Sequence, residues 1–190
     1  MTHRGGLFVI SGPSGAGKGT LLAGVLAAVE NSWVSVSATT RAPRPGEVDG
    51  ESYFFMTRED FEGLIANDGL LEWADVYGNL YGTPRKQVVQ RIAAGAQIFL
   101  EIDVQGGLQV RDRMPEVVLI FVAPPSMEEL ERRLVGRQTE SQEDIVRRLE
   151  AARGEIEAAS CYDYIVVNDD LGRATTEILE IVKRHAESEE

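Results

Sequence analysis

The sequence predicts an α/β fold, a parallel sheet of about five strands with helices on both faces and one strand-rich insertion. Three observations carry this. Short, wholly apolar runs alternate with amphipathic helical stretches along most of the chain. A glycine-rich turn joins the first apolar run to the first helix. Between Ala38 and about Tyr81 the alternation breaks into aromatic-rich strand patterns.

The elements follow in order. Leu7–Ile10 is a buried-strand run, and Leu21, Leu22, Val25, Leu26 and Val29 recur at helical spacing from about Gly19. Val34–Ser37 reads as a second strand, and Arg41–Gly46, with two prolines, as loop. Tyr53–Phe55 reads as strand, while Thr57–Asp60 is a helix-start box for Phe61–Asn67. Leu70–Tyr81 reads as a strand pair turning at Gly78-Asn79. A helix from Pro84 to about Ala94, a strand over Gln97–Leu100, a helix over Val104–Arg113 and a strand over Val117–Val122 continue the pattern. Ser126–Glu129 and Ser141–Asp144 are capping boxes opening two more helices. The strand Tyr164–Val167 and the helix Thr175–His185 close it. Strands apolar at every position are covered on both faces, which requires a parallel sheet between helical layers.

Composition narrows the function classes. At 190 residues, 43% hydrophobic and 26% charged, the chain suits one globular domain. The formal charge of −12 disfavours polyanionic partners, so neither nucleic acid nor an anionic membrane is expected as a ligand. No apolar run approaches the ~20 residues of a membrane span. Met1–Gly6 is too short and polar for a signal peptide, so a cytoplasmic location is expected. A single cysteine, Cys161, excludes a disulfide framework and a multi-cysteine metal site. Only three of the nineteen basic residues are lysines, Lys18, Lys86 and Lys183, and the first lies in the glycine-rich turn.

That turn, Gly12-Pro13-Ser14-Gly15-Ala16-Gly17-Lys18, has the spacing of a phosphate-binding loop. Glycines let backbone N–H groups turn inward around phosphate oxygens, the following helix start favours anions, and the lysine supplies a mobile cation. The hydroxyl that usually follows the lysine is missing: Gly19 stands there and Thr20 comes next. The flanking strand and helix distinguish this loop from an ordinary glycine-rich turn. A serine-hydrolase elbow is excluded because Ala16 replaces its closing glycine and the only histidines, His3 and His185, lie near the termini.

The stretches Gly12–Leu21, Ser37–Arg44, Gly46–Gly50, Tyr53, Glu72–Ala74, Tyr81–Thr83, Asp103–Gly106, Arg132–Leu134, Gly136-Arg137 and Val167–Leu171 together resemble the guanylate kinase family. The resemblance runs from about Leu7 to Arg184. It implies a P-loop NTPase core (residues 1–37, 96–132 and 149–190), a mixed α/β GMP-binding insertion (38–95) and a helical lid (133–148). The implied reaction is transfer of the γ-phosphoryl group of ATP to GMP with Mg²⁺, and dGMP is a further candidate acceptor. The state of assembly, monomer or homo-oligomer, stays open. The acceptor's oxygen is already anionic, so such a reaction needs fixed cations and excluded water more than a strong base.

By resemblance, ATP is held by Gly12, Pro13, Ser14, Gly15, Ala16, Gly17, Lys18, Gly19 and Thr20, with Arg133, Arg137 and Asn168. The acceptor phosphate is clamped by Arg41, Arg44, Tyr53 and Tyr81, and guanine is read by Ser37, Glu72, Thr83 and Asp103. Lys18, Arg41, Arg137 and Arg148 are the implied catalytic cations, and Glu101 and Asp103 would hold Mg²⁺ through water. Singly, Arg41 and Arg44 suit a solvated turn, Glu72 a surface charge and Asp103 a helix cap. Two other readings compete: a noncatalytic module binding phosphorylated peptides, and a kinase acting on a sugar phosphate. The retained Lys18 weighs against the first and the base-reading residues against the second. In the ligand-free chain, Arg137 and Arg148 are expected to stand far from the phosphate loop and to close on it only when both substrates bind.

Overall fold

The computed structural model describes residues 5–136 and 142–187. Its central strand, β1 (Gly6–Ser11), is flanked by parallel neighbours in the order β2 (Ser32–Val34), β7 (Gln97–Glu101), β1, β8 (Val118–Ala123), β9 (Tyr164–Val167). Side chains that alternate between two packed faces explain why Leu7–Ile10 of β1 is apolar throughout. Phe8 and Ile10 face one side, against Leu21, Leu22 and Val25 of α1 (Lys18–Ala28) and Ile178, Ile181 and Val182 of α7 (Leu171–Glu187). Leu7 and Val9 face the other, with Ile98, Leu119, Phe121 and the Val104 and Val110 side chains of α4 (Val104–Arg113).

The chain runs from the central β1 to edge strand β2 and later fills the gap with β7 before crossing to β8 and β9. The carboxyl ends of β1, β7 and β8 therefore surround the point where the winding reverses, the usual place for a ligand crevice in such sheets. Register sets what meets there: Ile10 lies beside Glu101 on one side and Ile120 on the other.

A second sheet, in the order β4 (Phe54–Phe55), β3 (Ala38–Thr39), β6 (Asn79–Pro84), β5 (Leu70–Val76), folds over its own cluster of Phe61, Leu70, Leu80 and Ala38. Helix α2 (Arg58–Ala66) covers it, and Thr57 caps that helix by accepting from the Asp60 N–H, as the sequence predicts. Strand β5 docks on the main domain through α4. The Gln109 side chain accepts from the Trp73 N–H and donates to the Trp73 carbonyl, both at 3.2 Å.

Most boundaries fall where the sequence places them, and the departures have local causes. The second strand is Ser32–Val34, earlier than the expected Val34–Ser37, because its partner β7 begins opposite Ser32. The hairpin turns at Tyr77-Gly78, both at positive φ (52° and 83°), one residue before the expected Gly78-Asn79. Helix α7 begins at Leu171 and not Thr175, since Asp170 accepts from the Arg173 N–H. Helices α3 (Arg85–Ala93), α5 (Met127–Val135) and α6 (Gln142–Glu157) match the expected positions, and Ser126 caps α5 through the Glu129 N–H. The Ser141 capping position lies outside the described residues.

Candidate active site

The loop after β1 turns through Gly12, Gly15 and Gly17 at φ of 142°, 92° and 91°. A Cβ on Gly12 would stand 2.2 Å from the Val122 carbonyl oxygen, and one on Gly17 would stand 2.4 Å from the Asn168 Nδ2. Glycine is therefore required on both conformational and steric grounds. Helix α1 starts at Lys18 with no acidic residue in its first turn, which leaves its amino end fit for an anion. The Lys18 Nζ donates to the carbonyls of Gly12 (2.6 Å) and Pro13 (3.2 Å), so its ammonium folds back over the loop. Asn168, 7% exposed, donates from Nδ2 to the Ala16 carbonyl at 2.7 Å. Its side chain braces the loop itself.

Helices α5 and α6 pack together through Leu130, Leu134 and Ala152. Leu130 and Leu134 also lie against Gly15, each within 3.1 Å of a Cβ built there. This contact brings α6 onto the loop, and the Arg148 Nη1 donates to the Ser14 Oγ at 2.8 Å. Arg148 therefore stands on the loop and not far from it, seated there by the α5–α6 apolar packing. Arg137 lies outside the described residues. Arg133 is held between Glu129 (2.8 Å) and the Asn168 carbonyl (3.0 Å). Hydrogen bonds from Arg132 and then Arg133 pull the Glu129 carboxyl down to about 2.

Two adjoining cavities open at the loop. One, about 280 Å³, lies over Ser14–Thr20 and reaches Glu101, and the other, about 380 Å³, runs from Gly12 and Lys18 to Glu101, Asp103 and Glu155. A larger cavity of about 740 Å³ lies at the amino ends of the strands between α1, α3 and α7, where a mainly apolar lining carries only scattered charges. The polar groups converge at the loop, which makes it the candidate site.

On the second sheet, Arg41 lies with its guanidinium 5.5 Å from the Tyr53 ring centroid and 5.8 Å from that of Phe55. It donates to Glu47 (2.8 Å) and to the Ala42 carbonyl (2.7 Å). The Tyr53 and Tyr81 rings meet edge to face at 5.9 Å. Glu47 strengthens the protonated state of Arg41, and Arg41 together with the Arg44 N–H holds the Glu47 carboxyl below the usual range. Arg41, Tyr53 and Tyr81 thus form one cluster, with Arg44 exposed beside it on the same loop.

Glu72 is aimed by a β-bulge. Between the pairs Leu70–Pro84 and Trp73–Gly82, the two residues Leu71 and Glu72 oppose the single residue Thr83. The Glu72 side chain is buried and accepts from the Thr83 hydroxyl at 2.7 Å. Asp103 caps α4 by accepting from the Gly106 N–H at 2.8 Å, so the cap reading of this residue holds. A Cβ on Gly106 would lie 3.3 Å from the Glu72 Oε2 and 3.5 Å from the Asp103 Oδ1, which shows both carboxylates converging on that glycine. Ser37 enters the neighbouring strand edge, its carbonyl accepting from the Phe54 N–H at 2.9 Å.

Burial raises the Glu72 carboxyl above its ordinary 4.5, the neighbouring Asp103 charge adds to this, and the Thr83 hydroxyl opposes it. A carboxyl raised on folding keeps a proton that the unfolded chain has released, so stability falls as pH climbs from the unfolded value through the folded one. Glu72→Gln, which keeps the Thr83 hydrogen bond, is expected to stabilise the ligand-free chain by about 1–2 kcal/mol at neutral pH. The gain should shrink to nothing near pH 4. Denaturant melts across that range check it; a gain independent of pH would show that burial of the charge is not its origin.

Three residues of this site escaped the sequence reading. Glu47 lies within the quoted Gly46–Gly50 stretch, six residues after the arginine it holds, but nothing local marks it. Glu155, on α6 seven residues after Arg148, lines the cavity beside Lys18, and burial raises its carboxyl against the pull of that lysine. As one of several acids on an amphipathic helix it carries no signal of its own. Gly106 is legible only as part of the Asp103–Gly106 stretch.

A glycine-rich loop between the central strand and first helix of a parallel sheet, with its lysine in place, defines a P-loop nucleotide-binding α/β protein. The family model for guanylate kinase matches residues 4–185. The chain is 52% identical over 182 residues to the guanylate kinase of Rubrobacter xylanophilus, covering 96% of this chain and 95% of that protein. It is 48% identical over 182 residues to the guanylate kinase of Clostridium acetobutylicum, covering 96% and 87%. The crystal structure of guanylate kinase from Anaplasma phagocytophilum superposes with a TM-score of 0.75 at 37% identity, covering 98% of this chain and 89% of that one. The chain belongs to the guanylate kinase family.

Proposed function

We propose that the cleft beyond β1 and β7 carries out the family's reaction, ATP + GMP to ADP + GDP, with a defined division of labour among the residues above. The observation that carries this is a cavity that runs from Gly12 and Lys18 of the phosphate loop to Asp103, whose carboxylate converges with that of the buried Glu72 on Gly106. The sequence-similar enzymes named above support the same reading.

The loop Gly12–Thr20 binds the ATP phosphates, and Lys18 leaves its two carbonyl partners to follow the transferring phosphoryl group. Arg148, already on Ser14, adds a second cation, with Arg133 and Arg137 as further contacts of the nucleotide. Arg41, Arg44, Tyr53 and Tyr81 clamp the acceptor phosphate. Glu72 and Asp103 accept from the N1–H and exocyclic amine of guanine, and Thr83 and Ser37 supply hydroxyls. Asn168 serves ATP by keeping the Ala16–Gly17 turn in shape. The second sheet is read as the GMP-binding unit, and the α5–α6 region as the part that closes over ATP.

Mg²⁺ fits this site only as a companion of the nucleotide. Among the described residues no cluster of three or more His, Cys, Asp or Glu can hold a metal. The Glu101 Oε2 would lie 3.5 Å from a Cβ on Gly19, so its carboxylate faces the position where the loop lacks a hydroxyl. Glu101, with Asp103, would hold the ion through water, and the ion would neutralise charge on the ATP phosphates. No helix among the described residues is long and apolar enough to cross a membrane. Cytoplasmic ATP and GMP are the substrates this reading assigns.

A coupled ADP-release assay with MgATP and each nucleoside monophosphate tests it. Turnover is expected with GMP and to be at least a hundredfold lower with AMP and CMP, about 3 kcal/mol of discrimination. Equal turnover with AMP, or none with GMP, would contradict it.

A further inference from the structure

Glu47 has no part in the scheme above, yet both of its carboxylate oxygens are taken by the two arginines of the acceptor-phosphate clamp. Oε1 accepts from the Arg41 Nη2 at 2.8 Å, and Oε2 accepts from the backbone N–H of Arg44 at 2.7 Å. The Glu47 N–H in turn donates to the Arg44 carbonyl at 3.1 Å, so Arg44 and Glu47 close the turn in both directions. Around Arg41 little freedom remains. Its other terminal nitrogen is on the Ala42 carbonyl at 2.7 Å, the Tyr53 and Phe55 rings lie beside it, and its side chain is 14% exposed.

We propose that Glu47 is the positioning residue of this clamp, fixing the Arg41 guanidinium and the Arg44 backbone in one rigid unit before GMP arrives. The inference rests on the reading of Arg41 and Arg44 as the clamp. A long side chain ordered in advance no longer loses its rotamer freedom on binding, so the acceptor phosphate meets a finished site. The geometry separates this from a second role, that of an internal anion filling the phosphate site until GMP displaces it. A stand-in for phosphate would take both guanidinium groups. Glu47 takes one guanidinium nitrogen of Arg41 and, from Arg44, only the main-chain N–H, while the Arg44 residue is exposed.

The two roles predict opposite results for Glu47→Gln. Removing a resident anion would relieve repulsion and tighten GMP. Removing a positioning carboxylate turns an amide N–H₂ toward one of two donors, loosens the unit and weakens GMP. Steady-state kinetics with Glu47→Gln and Glu47→Ala, guanosine as a phosphate-free competitor, and thermal melts decide between them. The expected result is a KM for GMP raised about tenfold by Gln and further by Ala. The KM for ATP, the inhibition by guanosine and the melting temperature should stay near wild type, and any fall in kcat should be smaller than the rise in the KM for GMP. A KM for GMP unchanged or lowered overturns the proposal, and so does a parallel loss in kcat, both KM values and melting temperature. Arg44→Ala is the control: if it leaves the KM for GMP unchanged, the clamp reading itself fails and the proposal with it. If Arg44→Ala weakens GMP while Glu47→Gln does not, only the proposal fails.

Discussion

Replacing Lys18 with Ala is expected to lower kcat by on the order of a thousandfold or more while leaving GMP affinity within a few fold. The Lys18 ammonium sits on the Gly12 and Pro13 carbonyls, at the border of the two cavities. From there its flexible stem reaches phosphate oxygens without moving the backbone. Charge redistributes over those oxygens in the transition state, so the interaction is stronger there than with bound ATP and its loss falls on kcat. The proposed acceptor groups Glu72 and Tyr81 lie on the other sheet, and Arg41 on the loop after its β3 strand. The Pro13 carbonyl keeps its hydrogen bond from the Ala16 N–H at 3.1 Å, and Gly12 lines the cavity, so the variant should fold. Steady-state kinetics and calorimetric titration with GMP check both halves. A near-normal kcat would take the loop's lysine out of the chemistry.

The second large effect is expected from Glu72→Gln. Its carboxylate is buried, already accepts from Thr83, and converges with Asp103 on Gly106. An amide there keeps the Thr83 contact with its oxygen and must turn its N–H₂ toward the guanine donors. Two donors then face each other at a buried position. Loss of a charged contact plus a buried unpaired donor is worth about 2–4 kcal/mol, roughly 30- to 1,000-fold in kcat/KM for GMP. AMP, which lacks the N1–H donor, should lose far less, so the GMP preference narrows. The same substitution is expected to stabilise the ligand-free chain, because burial raises the Glu72 carboxyl, so on the proposed base-reading role selectivity and stability would pull in opposite directions. An unchanged GMP-to-AMP ratio would make Glu72 a bystander.

What could be read from the residues alone depended on how local the cause was. Strand β1, helix α4 and the Thr57 and Ser126 caps follow from period, capping chemistry and the following apolar run, all within a few residues. The phosphate loop is equally local, since glycines at positive φ and a lysine at the helix start lie in seven consecutive positions. The aim of Glu72 is different. It comes from a bulge that exists only when β5 pairs with β6, and from the docking of β5 on α4 through Gln109. Asn168 and Arg148 reach the loop from 152 and 134 residues away. The seat of Arg148 on the loop depends on the packing of Leu130 and Leu134 against Gly15, a tertiary contact with no sequence pattern. Glu47 and Glu155 show the same limit from the other side: an acid in a loop or on a helix looks solvated until the fold gives it a cation to face.

The central claim is that one cleft delivers the γ-phosphoryl group of ATP to the phosphate of GMP and to nothing else. Incubation of the chain with Mg²⁺, GMP and ATP labelled only at the γ-phosphate, followed by separation of the products, tests it directly. The label is expected in the β-phosphate of GDP, in step with ADP formed, with almost none as free phosphate and none when GMP is replaced by AMP. Label accumulating as inorganic phosphate in the presence of GMP, or passing to AMP as readily as to GMP, would contradict it.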